Sequence, residues 1–231
     1  MQSRVRFAHA GERRRAIAPA WVRFGGPSPP KTGPTLRRDY RPATVESASE
    51  THEVVVVDLD NTLCKLQVDW GEVKAGLERL AQAAGADVED EGIWPLMEAA
   101  QQPGREPLLA DMERLVTEAE LAGAHGPRNQ ALVDWLDGDG RPVSVLSLNS
   151  QAAVKRVLSR HGLDERVSHI VARDDVRRVK PDPEGMLILA ERHGVEPADI
   201  LFIGDKDGDE ECAKNAGAGF MHVEEIGVDW R

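Results

Sequence analysis

The chain has 231 residues, 41% of them apolar and 30% charged, with a formal net charge of −11 and two cysteines. A chain of this size can bury one or two cores, no run approaches the roughly 18 to 20 apolar residues of a membrane-spanning helix, and two cysteines are too few for a disulfide framework or a zinc site. Cys64 and Cys212 therefore read as small buried hydrophobes in a reducing, cytoplasmic compartment.

The charge divides unevenly at residue 50. Residues 1–50 hold ten Lys and Arg against four acids, a balance of +6, so the other 181 residues carry −17. With seven lysines in the whole chain, acids far outnumber bases in that body, a balance like that of a halophilic protein in which concentrated salt screens the repulsion. An ordinary acidic cytoplasmic enzyme is the alternative. Six prolines, many arginines and no helical or strand period make 1–50 a basic tail expected to be disordered. Pro19 and Arg23 interrupt the apolar stretch that a secretory signal would need after Arg13–Arg15. An organelle-targeting segment, a nucleic-acid arm and a misplaced start codon stay open for the tail; the body suggests neither nucleic acid nor membrane as a partner, and leaves monomer or homodimer undecided.

From Thr51 onward, short β-branched runs alternate with helical segments. Strands are expected at Val54–Leu59, Val143–Leu148, His169–Ala172, Ile200–Gly204 and Gly219–Val223, most without in-out alternation, as in strands covered on both faces. Helices are expected at Arg128–Asp137, Gln151–His161, Pro183–His193 and Asp209–Ala216, the last three each followed by a glycine suited to a left-handed cap. The pattern is that of an α/β fold, a doubly wound (Rossmann-like) parallel five-stranded sheet spanning 51–66 and 127–231. Between the first two strands, 67–126 exceeds one crossover. Asp69 can cap a helix with Trp70, Val73, Leu77, Leu80 and Ala84 at helical spacing, and Ile93–Ala100 and Leu108–Ala119 suggest two more. The expectation is a small inserted helical cap lying over the carboxyl ends of the strands, with its Met and Trp residues forming its core.

In open parallel sheets, ligands bind beyond the carboxyl ends of the strands. The first strand ends in Asp58-Leu59-Asp60-Asn61-Thr62, and the fourth in Gly204-Asp205-Lys206-Asp207-Gly208-Asp209. Asp58, Asp205 and Asp209 can converge on a hard cation such as Mg2+, although Asp209 can equally be a helix N-cap; Asp207 and Gly208 read as turn residues. Ser147 ends the second strand, and Lys180 precedes Pro181-Asp182-Pro183; a hydroxyl and an ammonium there can hold phosphoryl oxygens. Each signal alone is weak, but their order is specific.

That order, D-x-D-x-T, a strand-end hydroxyl, Lys-Pro, then G-D-x-x-x-D, resembles the haloacid dehalogenase superfamily from residue 53 to about 223. One departure is that Leu148 separates Ser147 from Asn149, where the family often has Thr or Ser directly before Asn. The resemblance implies a Mg2+-dependent phosphatase acting on a small phosphorylated metabolite through an aspartyl-phosphate. Asp58 would be the nucleophile and Asp60 the general acid and base; Lys180 would offset charge. Thr62, Ser147, Lys180 and, with its register open, Asn149 would serve the phosphate. Asp58, Asp60 through its backbone carbonyl, Asp205 and Asp209 would hold the metal. A phosphomutase, a 2-haloacid dehalogenase-type hydrolase and a non-catalytic binding protein on the same fold are the alternatives. A receiver domain is disfavoured by the order of the motifs and by the sixty-residue insertion. Lys74, Arg79, Arg105 and Arg114 are basic candidates for meeting an anionic substrate, with nothing to rank them.

Overall fold

Val54–Val57 (β1) is a run of four valines, and branching at consecutive Cβ atoms suits a strand covered on both faces. In the computed structural model, which describes residues 6–7, 52–87 and 92–231, it is the central strand of a five-stranded parallel sheet. Its companions are Val143–Leu146 (β2), Val167–Val171 (β3), Ile200–Gly204 (β4) and Gly219–His222 (β5), in the spatial order β3-β2-β1-β4-β5. Val56 pairs with Ser144 on one side and Phe202 on the other, so β1 is hydrogen-bonded along both edges.

The four valines face alternate sides, and each side has its own helices. Val55 and Val57 pack in one cluster with Leu132 and Leu136 of Gln130–Asp139 (α4) and Val154 and Val157 of Gln151–His161 (α5). Val54 and Val56 pack in the other with Met186 and Leu189 of Glu184–His193 (α6) and Cys212 of Asp207–Ala216 (α7). All four are at most 2% exposed, worth about 1.5–3 kcal/mol each before the entropy of ordering is deducted. The doubly wound sheet is thus present as read from the sequence. α5, α6 and α7 end on Gly162, Gly194 and Gly217, all left-handed and each capping the preceding turn through its backbone N–H. Val223–Ile226 (α8) follows β5 as a single short turn.

Several boundaries differ from expectation, for local reasons. β1 stops at Val57 rather than Leu59, because the backbone N–H groups of Thr62, Leu63 and Cys64 converge on the Leu59 carbonyl and turn the chain. β2 stops at Leu146 rather than Leu148, where the Asn149 backbone N–H bonds back to the Ser147 hydroxyl. β3 begins at Val167, two residues early and at an irregularity that pairs Val143 with Val167 but Ser144 with His169. α4 begins at Gln130 behind an Asn129 cap. α7 begins at Asp207, so Asp207 and Gly208 are helical rather than turn residues, and Asp209 lies inside the first turn instead of at the N-cap.

By its internal contacts the chain separates into two compact units. One holds the sheet and takes in the described residues up to Val68 and from Thr117 onward. The other runs from Asp69 to Val116 and includes Arg6–Phe7, which pair antiparallel with Ala86–Asp87. The rest of the expected 1–50 tail lies outside the described residues. In this smaller unit Asp69 caps Trp70–Ala83 (α1) by accepting from the Glu72 N–H, and Ile93–Ala100 (α2) and the first part of Glu106–Gly123 (α3) supply the other helices. Leu77, Leu96, Met97, Met112 and Val116 are buried, so its two Met residues are core as expected, whereas Trp70 and Trp94 are only half-buried.

Candidate active site

The first functional loop is built by the turn that ends β1. Asp58 continues the sheet for one more bond, its N–H to the Ile203 carbonyl at 2.9 Å, and then the chain folds over Leu59. Asn61 sits at φ 65°, a left-handed conformation that Asn tolerates better than most residues. Asp60 is 8% exposed, and its carboxylate accepts from the Leu66 N–H at 2.9 Å, which closes the loop on itself. The fully buried Thr62 hydroxyl lies 3.4 Å from the Asp205 carboxylate, and the Thr62 carbonyl accepts from Asn129 Nδ2 at 3.2 Å. Thr62 therefore ties the loop after β1 to the loop after β4 and to the start of α4.

Four of the expected residues meet beyond the carboxyl edge of β1 and β4. Carboxylate oxygens of Asp58, Asp205 and Asp209 all lie within 4.8 Å of one another. Lys180 enters this group from the segment before α6, with its side chain 5% exposed. Its Nζ donates to Asp58 Oδ1 at 2.7 Å, to Asp209 Oδ1 at 2.5 Å and to the Leu146 carbonyl at 3.2 Å. Gly204 makes room for this arrangement, since a Cβ there would fall 2.5 Å from Asp209 Oδ2. Asp60 lies close enough to raise the Asp205 carboxyl further, and its own carboxylate accepts from the Leu66 N–H.

The electrostatics are unbalanced. Burial would lower the Lys180 ammonium, but Asp58 and Asp209 outweigh it and hold the group protonated well above the ordinary lysine range. Asp58 moves the other way from a usual buried ion pair: desolvation pushes its carboxyl up to about 6 despite Lys180, with Asp209 adding repulsion. Burial is the main cause, and an ammonium shared between two carboxylates does not offset it. Asp205 is likewise raised, first by burial, with Lys206 only partly offsetting it. A buried group of oxygen ligands short of positive charge is what a hard divalent cation fits, and magnesium in particular uses few carboxylates together with water and phosphate oxygens.

Ser147 and Asn149 are buried, and the hydroxyl of Ser147 donates to Asn149 Oδ1 at 3.0 Å. Leu146, Ser147, Val179, Lys180, Asp182 and Gly185 line a cleft there. Two residues not singled out from the sequence complete this corner. Glu120, with a side chain 0% exposed, is paired with Arg173 at 2.7 Å and accepts from Asn149 Nδ2 and the Ser150 N–H. A signal for Glu120 was available: Met112, Val116 and Glu120 recur every four residues on the apolar face of α3, where an acid is out of place. Both cysteines are buried and unbridged, with burial pushing each thiol up to about 12. Of the basic candidates in the smaller unit, Lys74 lies 3.7 Å from Glu78, Arg114 pairs with Asp111 at 2.6 Å, and Arg105 donates to the Ala99 carbonyl.

A doubly wound sheet with acids after its first and fourth strands, a lysine between them and a strand-end serine defines a class, and sequence relationships agree. The haloacid dehalogenase-like hydrolase family matches residues 105–223. N-acetylmuramic acid 6-phosphate phosphatase of Pseudomonas aeruginosa is 36% identical over 197 residues, covering 77% of this chain and 87% of the relative. Phosphoglycolate phosphatase of Escherichia coli K12 is 33% identical over a shorter stretch of 82 residues, 36% of this chain and 32% of that protein. In fold, CbbY from Rhodobacter sphaeroides superposes with a TM-score of 0.55 at 20% identity, over 74% of this chain and 85% of the other. The chain belongs to the haloacid dehalogenase-like hydrolases. It is an enzyme of a family in which these sequence relatives are phosphatases. No helix among the described residues is long and apolar enough to cross a membrane.

Proposed function

We propose that this hydrolase is a cytoplasmic, Mg2+-dependent phosphatase that cleaves a small phosphate monoester through an aspartyl-phosphate on Asp58. The observation that carries the reading is the meeting of Asp58, Asp205 and Asp209 within 4.8 Å of one another, with the ammonium of Lys180 bonded to Asp58 and Asp209. Asp58, the Asp60 backbone carbonyl, Asp205 and Asp209 would hold magnesium, which when bound would neutralise anionic charge around the phosphoryl group.

Lys180 fixes Asp58 Oδ1, so the remaining carboxylate oxygen attacks phosphorus, forming the acyl phosphate as the ester P–O bond breaks. Asp60 gives its proton to the departing alkoxide, then takes one from the water that attacks the aspartyl-phosphate, releasing phosphate and restoring Asp58. The Leu66 N–H holds the Asp60 carboxylate by one oxygen throughout. Ser147 and Lys180 steady the phosphoryl oxygens, and Thr62 keeps the two acidic loops in register. Residues 69–116, the smaller unit within the insertion, act as the cap that selects the substrate.

The relative acting on an amino-sugar acid 6-phosphate is similar across most of this chain, so sugar 6-phosphates head the substrates to test, followed by 2-phosphoglycolate. The experiment is phosphate release over a metabolite panel that includes both, with magnesium or with chelator, in low and high salt. Native protein should release phosphate from at least one sugar or short-acid phosphate only with the cation, and Asp58→Asn should fall by about 10⁴-fold or more. Native protein inert throughout the panel, or turnover retained by Asp58→Asn, overturns the reading.

A further inference from the structure

We propose that Glu120 is a positioning residue for the phosphate-binding hydroxyl, setting the amide of Asn149 and through it the Ser147 side chain; this rests on the phosphatase reading above. The carboxylate lies within the sheet unit, near the end of α3, and is fully enclosed. Oε1 accepts from Arg173 Nη1 at 2.7 Å and from Asn149 Nδ2 at 3.2 Å, while Oε2 accepts from the Ser150 N–H at 2.9 Å. Arg173 in turn donates to the Leu148 carbonyl at 2.9 Å and to Thr117 Oγ1 at 3.2 Å. The two charged groups therefore grip Leu148, Asn149 and Ser150, the three residues directly after Ser147.

The consequence is a matter of donors and acceptors. An ionised carboxylate can only accept, so the side of the Asn149 amide facing Glu120 must be its NH2, and its oxygen must face Ser147. That oxygen receives the Ser147 hydroxyl hydrogen, with O···O 3.0 Å, and the Asn149 backbone N–H donates to Ser147 Oγ at 3.2 Å; when phosphate binds, the hydroxyl turns its single hydrogen to a phosphoryl oxygen and the backbone N–H keeps Oγ in place. Ser147 Oγ is thereby located by two bonds to one residue, and that residue is oriented by Glu120. Asn149 acts in this scheme as the link between Glu120 and the hydroxyl. The extra residue Leu148 fits it: its backbone carbonyl is the third point held by Arg173.

Replacing Glu120 by Gln keeps the shape and inverts half of the chemistry. Three donors converge on the two Glu120 oxygens, so an amide NH2 at either position meets a donor and the loop must re-sort. The experiment is a double-mutant cycle between Glu120 and Ser147, reading KM for p-nitrophenyl phosphate and the inhibition constant for inorganic phosphate. Ser147→Ala should raise both constants by about tenfold, and Glu120→Gln should raise both by a similar factor with kcat within about threefold of native. The double variant should be no worse than Ser147→Ala within about twofold, because the effect of Glu120 passes through the missing hydroxyl. A merely structural Glu120 would give multiplying effects, and that result overturns the proposal, as does a folded Glu120→Gln with both constants unchanged. If Glu120→Gln does not fold, Arg173→Lys, which retains the charge but loses the fork, goes through the same cycle: a non-multiplying effect supports the proposal, and multiplying effects or unchanged constants overturn it. An active native enzyme with multiplying effects sinks this proposal alone; an inert native protein sinks the phosphatase reading and this with it.

Discussion

Two buried charge centres in the sheet unit are compensated in opposite ways. At the Asp58 cluster one ammonium serves two carboxylates, with a third nearby, and the Asp58 carboxyl rises to about 6. At Glu120 one guanidinium serves one carboxylate, and two further donors saturate it. Asp139, a carboxylate whose side chain is 7% exposed and which Arg141 holds at 2.7 Å through both of its oxygens, belongs with the second kind. Although burial opposes it, pairing holds that carboxyl below the ordinary range. The difference separates two kinds of buried charge: a saturated pair fixes geometry, whereas a centre short of positive charge is compatible with a cation.

That contrast can be broken at either centre. Lys180→Met leaves Asp58 and Asp209 facing each other without a counter-ion, so chelated protein should lose about 3–5 kcal/mol, and added magnesium should restore a substantial part. Arg173→Met should cost a similar amount by stranding Glu120, but magnesium should restore none of it. Chemical denaturation of both variants with and without the cation checks the pair; equal rescue of both would erase the distinction between the two centres.

Neutral replacement should have opposite signs at the two kinds of centre. In chelator near pH 7, Asp58→Asn should raise stability by about 1–2 kcal/mol, because it removes a desolvated charge that Lys180 covers only in part. Asp139→Asn should instead cost about 1–3 kcal/mol at neutral pH, because both side chains are largely shielded, 7% and 13% exposed, and Arg141 would be left with a neutral partner. The sign follows from linkage. A carboxyl whose folded-state pKa lies below its unfolded value stabilises the fold above the unfolded pKa and ceases to do so as pH falls through the folded one. The cost of Asp139→Asn should therefore shrink as pH falls below the ordinary carboxylate range and through the lowered folded-state value, as denaturation at decreasing pH would show. The smallest effect is expected for Asn61→Gly, outside both centres, at about 0.5 kcal/mol or less, whereas a β-branched Asn61→Val should cost about 1–2 kcal/mol at φ 65°.

The sheet was legible because its signal is local. Val54–Val57 and Ile200–Gly204 are apolar runs too short for helices, and each is followed by the acids that a carboxyl edge presents. Asp58, Asp205, Asp209, Lys180 and Ser147 were legible as an ordered set, even though no one of them was specific. Their roles as ligand, base or phosphate contact rest on chemistry that this geometry supports. What sequence reading missed depends on distance along the chain. Glu120 meets residues 29, 30 and 53 positions away, and Asn129 reaches Thr62 across 67. Only the misplaced acid on an apolar helical stripe hinted at the first, and a helix-cap asparagine gives no hint of the second. Strand ends were read too long at Leu59 and Leu148 because an apolar residue in the loop just past a strand resembles one that stays in it.

Transfer of the phosphoryl group to Asp58 is the step on which the proposed chemistry stands. Acid quench of the native enzyme during turnover of its best panel substrate, followed by mass spectrometry of its peptides, tests it directly, since acid preserves an acyl phosphate long enough to be located. The expected result is a phosphoryl adduct on Asp58 that grows in before steady state and is absent from Asp58→Asn; phosphate released with no adduct, or with the adduct on another residue, would contradict it.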